Sequence, residues 1–456
     1  MSLLIRGSQI LLPDGEFLLG DVLIENGKIT QISNKIINDQ AEVINAEGLT
    51  LLPGVIDPQV HFREPGLEHK EDLFTASCAC ARGGVTSFLE MPNTKPLTTD
   101  QIALDDKLQR ASQKSLVNYG FFIGANGKNF AELNSVHPTC GIKVFMGSMK
   151  GDLLINQSEV LEQIFANGDR LIAVHAEDQE RISARRKLFQ VDQLKNPDIS
   201  LHSQIQDNEV ALLATQKAVQ LSRKYNRRLH ILHLSTAEEV AYLRQYKTPL
   251  ITAEVTPQHL VMSTNDYDRI GTLAQMNPPL RSLADNRALW QGLQDGILDF
   301  IATDHAPHTL LEKGVAPLID VKAETNAPSA FLEPAHVPSG MPGVETSLAI
   351  MLTQAMQGKC TVAQVSKWMS TNVAEAYKIS NKGKIAIGYD ADLVLVDLQT
   401  YKPVLRAELL TKSGWSPFEG WNLTGWAQYT FVHGAIAFAN GKVNPEVRGQ
   451  KLTFIA

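Results

Sequence analysis

Five side chains stand at the ends of short apolar runs: His61, Lys143, His175, His233 and Asp304. Imidazole and carboxylate are the donors that zinc-like ions prefer. A lone histidine at a strand end is ordinarily structural. Five such groups gathered at one end of a barrel are not explained that way, and they point to a metal centre. Lys143 lies in Gly141-Ile-Lys-Val-Phe-Met146, a run apolar enough to be buried on both faces. An ammonium there is costly and repels a cation. Burial lowers a lysine pKa and frees a neutral, nucleophilic amine. That amine can take up carbon dioxide and become a carbamate, an anion able to bridge two metals. The competing reading pairs Lys143 with a nearby carboxylate.

The densest chemistry is in Val55-Ile-Asp-Pro-Gln-Val-His-Phe-Arg-Glu-Pro-Gly66. Side chains alternate along a strand, so Asp57, Gln59 and His61 share a face. Polar groups on a buried face are expensive unless something binds them. Arg63 follows just past the strand end, where it could hold an anionic substrate; a surface salt bridge is the plainer alternative. His230 and His233 are three apart and face opposite ways on a strand, which makes His233 the ligand and leaves His230 to pack against a helix. His305 faces away from Asp304. His308, in Asp304-His-Ala-Pro-His308, can reach over the site.

These groups need a scaffold. From about residue 54 to 384, short apolar runs alternate with helical segments, the signature of βα units and a parallel sheet. The strands are expected at 54–61, 85–91, 117–123, 141–146, 171–176, 229–235, 250–256 and 298–304. Eight is the number that closes a (β/α)8 TIM-like barrel, whose active sites lie at the C-terminal ends of the strands. Residues 1–53 and 385–456 read as short strands joined by Asp-Gly and Asn-Gly turns. The two ends are expected to form one small β-sandwich domain beside the barrel.

Net charge is −7, with 42 basic and 49 acidic residues and no basic stripe. That excludes nucleic acid and anionic membranes as partners. No apolar run is long enough to span a bilayer, and the N-terminus lacks the blocks of a signal peptide. Cys78, Cys80, Cys140 and Cys360 fit no zinc-knuckle or redox spacing. Buried free thiols suit a cytoplasmic protein.

Longer motifs add a resemblance. Asp57-Pro-Gln-Val-His-Phe-Arg-Glu-Pro-Gly66, Met91-Pro-Asn-Thr94, Gly141-Ile-Lys-Val-Phe145, Val174-His-Ala-Glu177, His233-Leu-Ser-Thr236, Asn277-Pro-Pro-Leu-Arg281 and Ala302-Thr-Asp-His-Ala-Pro-His308 resemble the dihydroorotases of the amidohydrolase superfamily. The resemblance covers nearly the whole chain. It implies interconversion of N-carbamoyl-L-aspartate and L-dihydroorotate, a step of pyrimidine biosynthesis. It implies a zinc centre of one or two ions on His61, Lys143 (N6-carboxylated), His175, His233 and Asp304, with Asp304 as general acid and base. Arg63, Asn93 and His308 would hold the substrate carboxylate. Asn277 and the backbone at Pro338–Gly340 would contact the ring. A homodimer, and an association with aspartate carbamoyltransferase, are implied as partners.

Three features depart from the family pattern. Gln59 stands where most members have the first histidine of a His-x-His pair, and an amide oxygen is a weak donor for zinc. That leaves Gln59 an uncertain ligand, and a firm metal is expected at His175, His233 and Lys143 with a weaker one near His61 and Asp304. Gln258 replaces one member of a common His-His pair. The segment 309–337 is long for its place and suggests a lid, against the alternative of a plain surface loop. Two other functions compete: a hydantoinase or allantoinase acting on another cyclic ureide, and a catalytically inactive structural partner of aspartate carbamoyltransferase.

Overall fold

The computed structural model describes residues 2–194, 198–315 and 337–455. Eight parallel strands appear where the apolar runs place them: β1 (Val55–Val60), β2 (Val85–Glu90), β3 (Asn118–Phe121, resuming at Ile123–Gly124), β4 (Ile142–Phe145), β5 (Ile172–His175), β6 (Leu229–Ile231), β7 (Ile251–Val255) and β8 (Phe300–Ile301). They pair in order, each with the next. A parallel bridge between Val60 and His305 closes the ring. The His61 amide donates to His305 O at 2.7 Å. Asp57 clamps the same junction, accepting from Thr303 Oγ1 at 2.5 Å and from the Thr303 amide at 3.2 Å. Burial pushes the Asp57 carboxyl up to about 7. The fold is a (β/α)8 barrel, as the alternation of elements requires.

The observed strands are shorter than the apolar runs at their C-terminal ends because the chain turns there. Arg63, Ser148, His233 and Asp304 adopt φ of +70°, +56°, +38° and +47°. Side chains pay for this left-handed backbone in strain of about 1–3 kcal/mol each, and such residues cluster at functional sites. The crossover helices start on polar caps. Asp72 and Thr75 form a capping box at Leu73–Arg82, and Thr236 and Glu239 form one at Ala237–Tyr246.

Inside the ring, Ile56 of β1, Leu89 of β2, Ala173 of β5 and Phe300 of β8 pack with Val373, Tyr377 and Leu452. His230 belongs to this interior, which corrects the expectation that it packs against a helix. Its ring stacks on Phe300 at 4.7 Å and meets Tyr377 edge-on at 5.8 Å. His230 pairs in register with Ala173 and Thr252, so its side chain points into the barrel. The left-handed turn at His233 breaks the alternation on which the opposite assignment rested.

Both chain ends build one nine-stranded sheet, in which Thr50–Pro53 runs antiparallel to Leu393–Asp397 and joins the N-terminal strands to the C-terminal ones. Its hairpin from Phe17–Glu25 to Lys28–Ser33 turns at Asn26 and Gly27, both with positive φ. That is the geometry a two-residue hairpin loop favours. The tail then returns to the barrel: Tyr119 of β3 donates to Gln450 O at 3.1 Å and accepts from the Leu452 amide at 2.9 Å. All four cysteines are free, and Cys78, Cys80 and Cys140 are buried. Among the described residues, no helix is long and apolar enough to cross a membrane.

Candidate active site

The C-terminal ends of the barrel strands surround a cavity of about 90 Å³. Gln59, His61, Arg63, Asn93, Lys143, His175, His233, Asn277 and Asp304 all line it, with Phe145, Ser148, Ala306, Ser339 and Gly340. The structure thus brings together every expected site residue except His308, which stands behind Arg63. Two larger clefts, of about 450 and 880 Å³, open elsewhere, and no histidine lines either.

The ligand-type groups fall into two pairs. His175 Nδ1 lies 2.9 Å from His233 Nε2. His61 Nε2 lies 3.2 Å from Asp304 Oδ1, which also accepts from Gln59 Nε2 at 3.0 Å. Two imidazole nitrogens on one tetrahedral zinc sit roughly 3.3 Å apart, given Zn–N bonds of about 2.0–2.1 Å. The first pair is close to that spacing. Burial, above all, keeps the His61 and His233 pKa values below the usual range. Both rings are therefore neutral, as a ligand must be.

Lys143 joins the pairs from the floor of the cavity. It is 0 % exposed, and its Nζ has no hydrogen-bond partner among the described residues. The Nζ sits 4.4 Å above the Phe145 ring. Burial draws its pKa down to about 7, against the opposing pull of Asp304 and Glu254. No carboxylate lies within ion-pair distance of it among the described residues, which removes the paired-lysine alternative. Gln59 Oε1 and His233 Nδ1 are also buried without a partner. Orphaned donors and acceptors converging on one small cavity fit a divalent metal with nitrogen and oxygen ligands.

Neighbouring groups hold these side chains in place. Glu177 Oε2 contacts His175 Nε2 at 2.8 Å and accepts from Ser148 Oγ at 2.5 Å. Asn93 Oδ1 faces His61 Nδ1 at 2.7 Å. Glu254 lies 2.9 Å from His230 Nε2 and accepts from the His233 amide at 3.4 Å. Gln258 lies off the cavity and donates to Thr303 O at 3.1 Å, next to Asp304. Glu177 and Glu254 were not singled out in the sequence. Glu177 sits in the Val174-His-Ala-Glu motif, two residues from its histidine, and that spacing was the available signal.

Arg63 is 7 % exposed and meets no carboxylate within 4 Å among the described residues. Its Nε donates to Pro307 O at 3.1 Å, and its Nη2 lies 3.2 Å from His308 Nε2. Burial lowers the guanidinium pKa to about 10, so it stays charged at neutral pH. Burial and Arg63 together push His308 down to about 3. A surface salt bridge is thereby ruled out for Arg63. A buried cation at the wall of a cavity, with no counter-ion among the described residues, is suited to receive an anion.

A second cluster of ligand-type groups, Asp390, Asp392 and His433, lies in the chain-end sheet with its ligand atoms within 4.8 Å of one another. The Lys382 ammonium already bonds both aspartates and lies 3.5 Å from His433 Nε2. Asn118 of β3 donates to Asp392 at 3.1 Å. This cluster ties the sheet to the barrel. The lid expected at 309–337 falls, from 316 to 336, outside the described residues.

Comparison with known proteins matches residues 50–437 to the amidohydrolase family. The dihydroorotase of Methanosarcina acetivorans is 36% identical over 442 residues, 93% of this chain and 89% of that protein. That of Methanosarcina mazei is likewise 36% identical, over 93% of this chain and 91% of that protein. Among solved structures, the L-hydantoinase (dihydropyrimidinase) from Arthrobacter aurescens superposes with a TM-score of 0.90 at 27% identity, covering 99% of both chains. The chain therefore belongs to the amidohydrolase family and, within it, to the dihydroorotases.

Proposed function

We propose that this enzyme interconverts N-carbamoyl-L-aspartate and L-dihydroorotate, with Arg63 receiving the substrate carboxylate and His308 backing the guanidinium from behind. The observation that carries the reading is the Arg63 guanidinium, without a carboxylate partner among the described residues, beside a metal-type ligand set. Neither hydantoin nor allantoin carries a carboxylate, so a hydantoinase has no use for that charge. The likeness to the A. aurescens L-hydantoinase makes those ureides the substrates to compare. Dihydroorotate is expected to turn over, and hydantoin and allantoin much more slowly. Preferred turnover of either ureide would overturn the assignment, and a chain inert even with metal would favour the inactive-partner reading.

His175, His233 and Lys143 would hold one zinc ion, and His61, Asp304 and Gln59 a second. Lys143 serves as its N6-carboxylate: the neutral amine adds to carbon dioxide and releases one proton. Zinc held by these residues would supply a water of lowered pKa and polarise the ring carbonyl. Asp304 Oδ1 is engaged by Gln59 and His61, so Oδ2 takes the proton from the attacking water and passes it to the ring nitrogen as the C–N bond breaks. Cyclisation runs the same steps backwards. Asn93 keeps an amide N–H for the substrate while its Oδ1 faces His61. Asn277 Oδ1, buried without a partner among the described residues, is placed for a ring N–H.

Gln59 makes the two metal positions unequal. The parent chain should carry one tightly held metal per chain by elemental analysis, and Gln59→His should raise that to two. Two tight equivalents in the parent would remove the asymmetry. Glu177 fixes His175 through its second nitrogen, as carboxylate partners of ligating histidines do. Glu177→Gln should therefore weaken metal binding about 10–100-fold in a chelator competition. Parental affinity would mean that packing alone orients His175.

The assembly we infer is a homodimer, with aspartate carbamoyltransferase as a further partner. Both rest on the family likeness, and light scattering of the chain alone and with that enzyme tests them. A cytoplasmic location suits the free, buried thiols.

A further inference from the structure

Lys313 is a lysine that neither the metal site nor the carboxylate pocket uses. It is 0 % exposed, and no carboxylate approaches its ammonium among the described residues. Three backbone carbonyls surround the Nζ instead: Gln275 O at 2.9 Å, Pro338 O at 3.0 Å and Gly340 O at 3.1 Å. An ammonium has three N–H donors, so the cage is saturated. The Trp415 ring lies 5.9 Å from the same Nζ. Burial lowers the Lys313 pKa to about 7, and the carbonyls, which can only accept, favour the charged form.

The cage joins the parts of the site that share no strand. Gln275 is two residues before Asn277, and Ser339 and Gly340 line the cavity. The Gly340 amide also donates to Gln275 O at 2.9 Å. Lys313 itself sits on a turn capped by Thr309 and Glu312, which exchange hydrogen bonds of 3.0 and 3.2 Å. Glu312 pairs with Lys70 at 3.0 Å, and Lys70 lies 3.1 Å from His308. One face of the turn thus braces the Arg63–His308 side. The other grips the opposite wall.

We propose that Lys313 is a positioning residue for substrate binding: its ammonium, caged by the carbonyls of Gln275, Pro338 and Gly340, sets the wall bearing Asn277, Ser339 and Gly340 against the Arg63–His308 pocket. This rests on the dihydroorotase reading for its substrate, and on the cage geometry for its mechanism. Lys313→Met keeps the stem under Trp415 and removes the charge. It should raise KM for dihydroorotate by about 10-fold, the worth of one misplaced hydrogen bond to the substrate, with metal content unchanged and kcat much less affected. In Lys313→Ala, added propylammonium replaces the missing Cγ-to-Nζ atoms and should restore KM, whereas sodium ions should not. Amide exchange at Gly340 should quicken in both variants and slow again with propylammonium.

A folded Lys313→Met with parental KM would overturn the proposal. So would a raised KM without faster exchange at Gly340, or an Ala variant that propylammonium leaves unchanged. The exchange measurement needs no activity. A parent chain inert toward dihydroorotate would sink the substrate assignment while still deciding whether Lys313 holds the wall.

Discussion

Asp304→Asn, assayed with saturating metal, should turn over dihydroorotate about 10³-fold or more slowly than the parent, the upper part of the range for losing a general acid–base group. The asparagine Oδ1 can still accept from Gln59 Nε2, so the cavity keeps its shape. What disappears is the oxygen that carries the proton from water to the ring nitrogen. The loss should appear in kcat and persist at every metal concentration. A defect that excess metal fully repairs would make Asp304 a ligand only, and another group would have to move the proton.

Arg63→Met should raise KM for dihydroorotate by about 10²–10³-fold, because truncating one partner of a buried charge pair costs about 3–4 kcal/mol. The same change should not lower the melting temperature. Burial takes the guanidinium from 12.5 to about 10, so the folded chain holds this charge at a cost of about 3 kcal/mol. Releasing that cost offsets the lost hydrogen bond to Pro307 O. Loss of binding with retained stability is the mark of a charge kept for its ligand. A variant that melts early while binding normally would make Arg63 a structural residue.

The barrel and its five ligand-type groups were legible because both follow from local rules. Apolar runs of strand length alternate with helical segments, and a closed parallel barrel brings all the C-terminal strand ends to one mouth. Lys143 was legible for a further reason: no solvated role suits an ammonium in Ile142–Phe145. Strand periodicity loses its hold where the backbone leaves the strand. At His233 and Asp304 the chain turns left-handed, and face arithmetic no longer says where the next side chain points. His230 was misplaced for that reason. Glu254 was missed because its contacts depend on which strands are neighbours. Lys313 was missed because backbone carbonyls leave no trace in the sequence, and a lysine between Glu312 and Gly314 reads as solvated.

The Asp57–Thr303 clamp has a consequence for how the enzyme comes into being. The two residues are 246 apart in sequence, and beside them His61, just past the first strand, faces Asp304, just past the last. The seam of the cylinder therefore runs through the active site. Long-range closures form late, because the entropy of bringing remote segments together comes due before the contact rewards it. A nascent chain has no working centre until its final strand is in place, and a cation held there, as proposed, would grip both sides of that seam and rivet the cylinder shut.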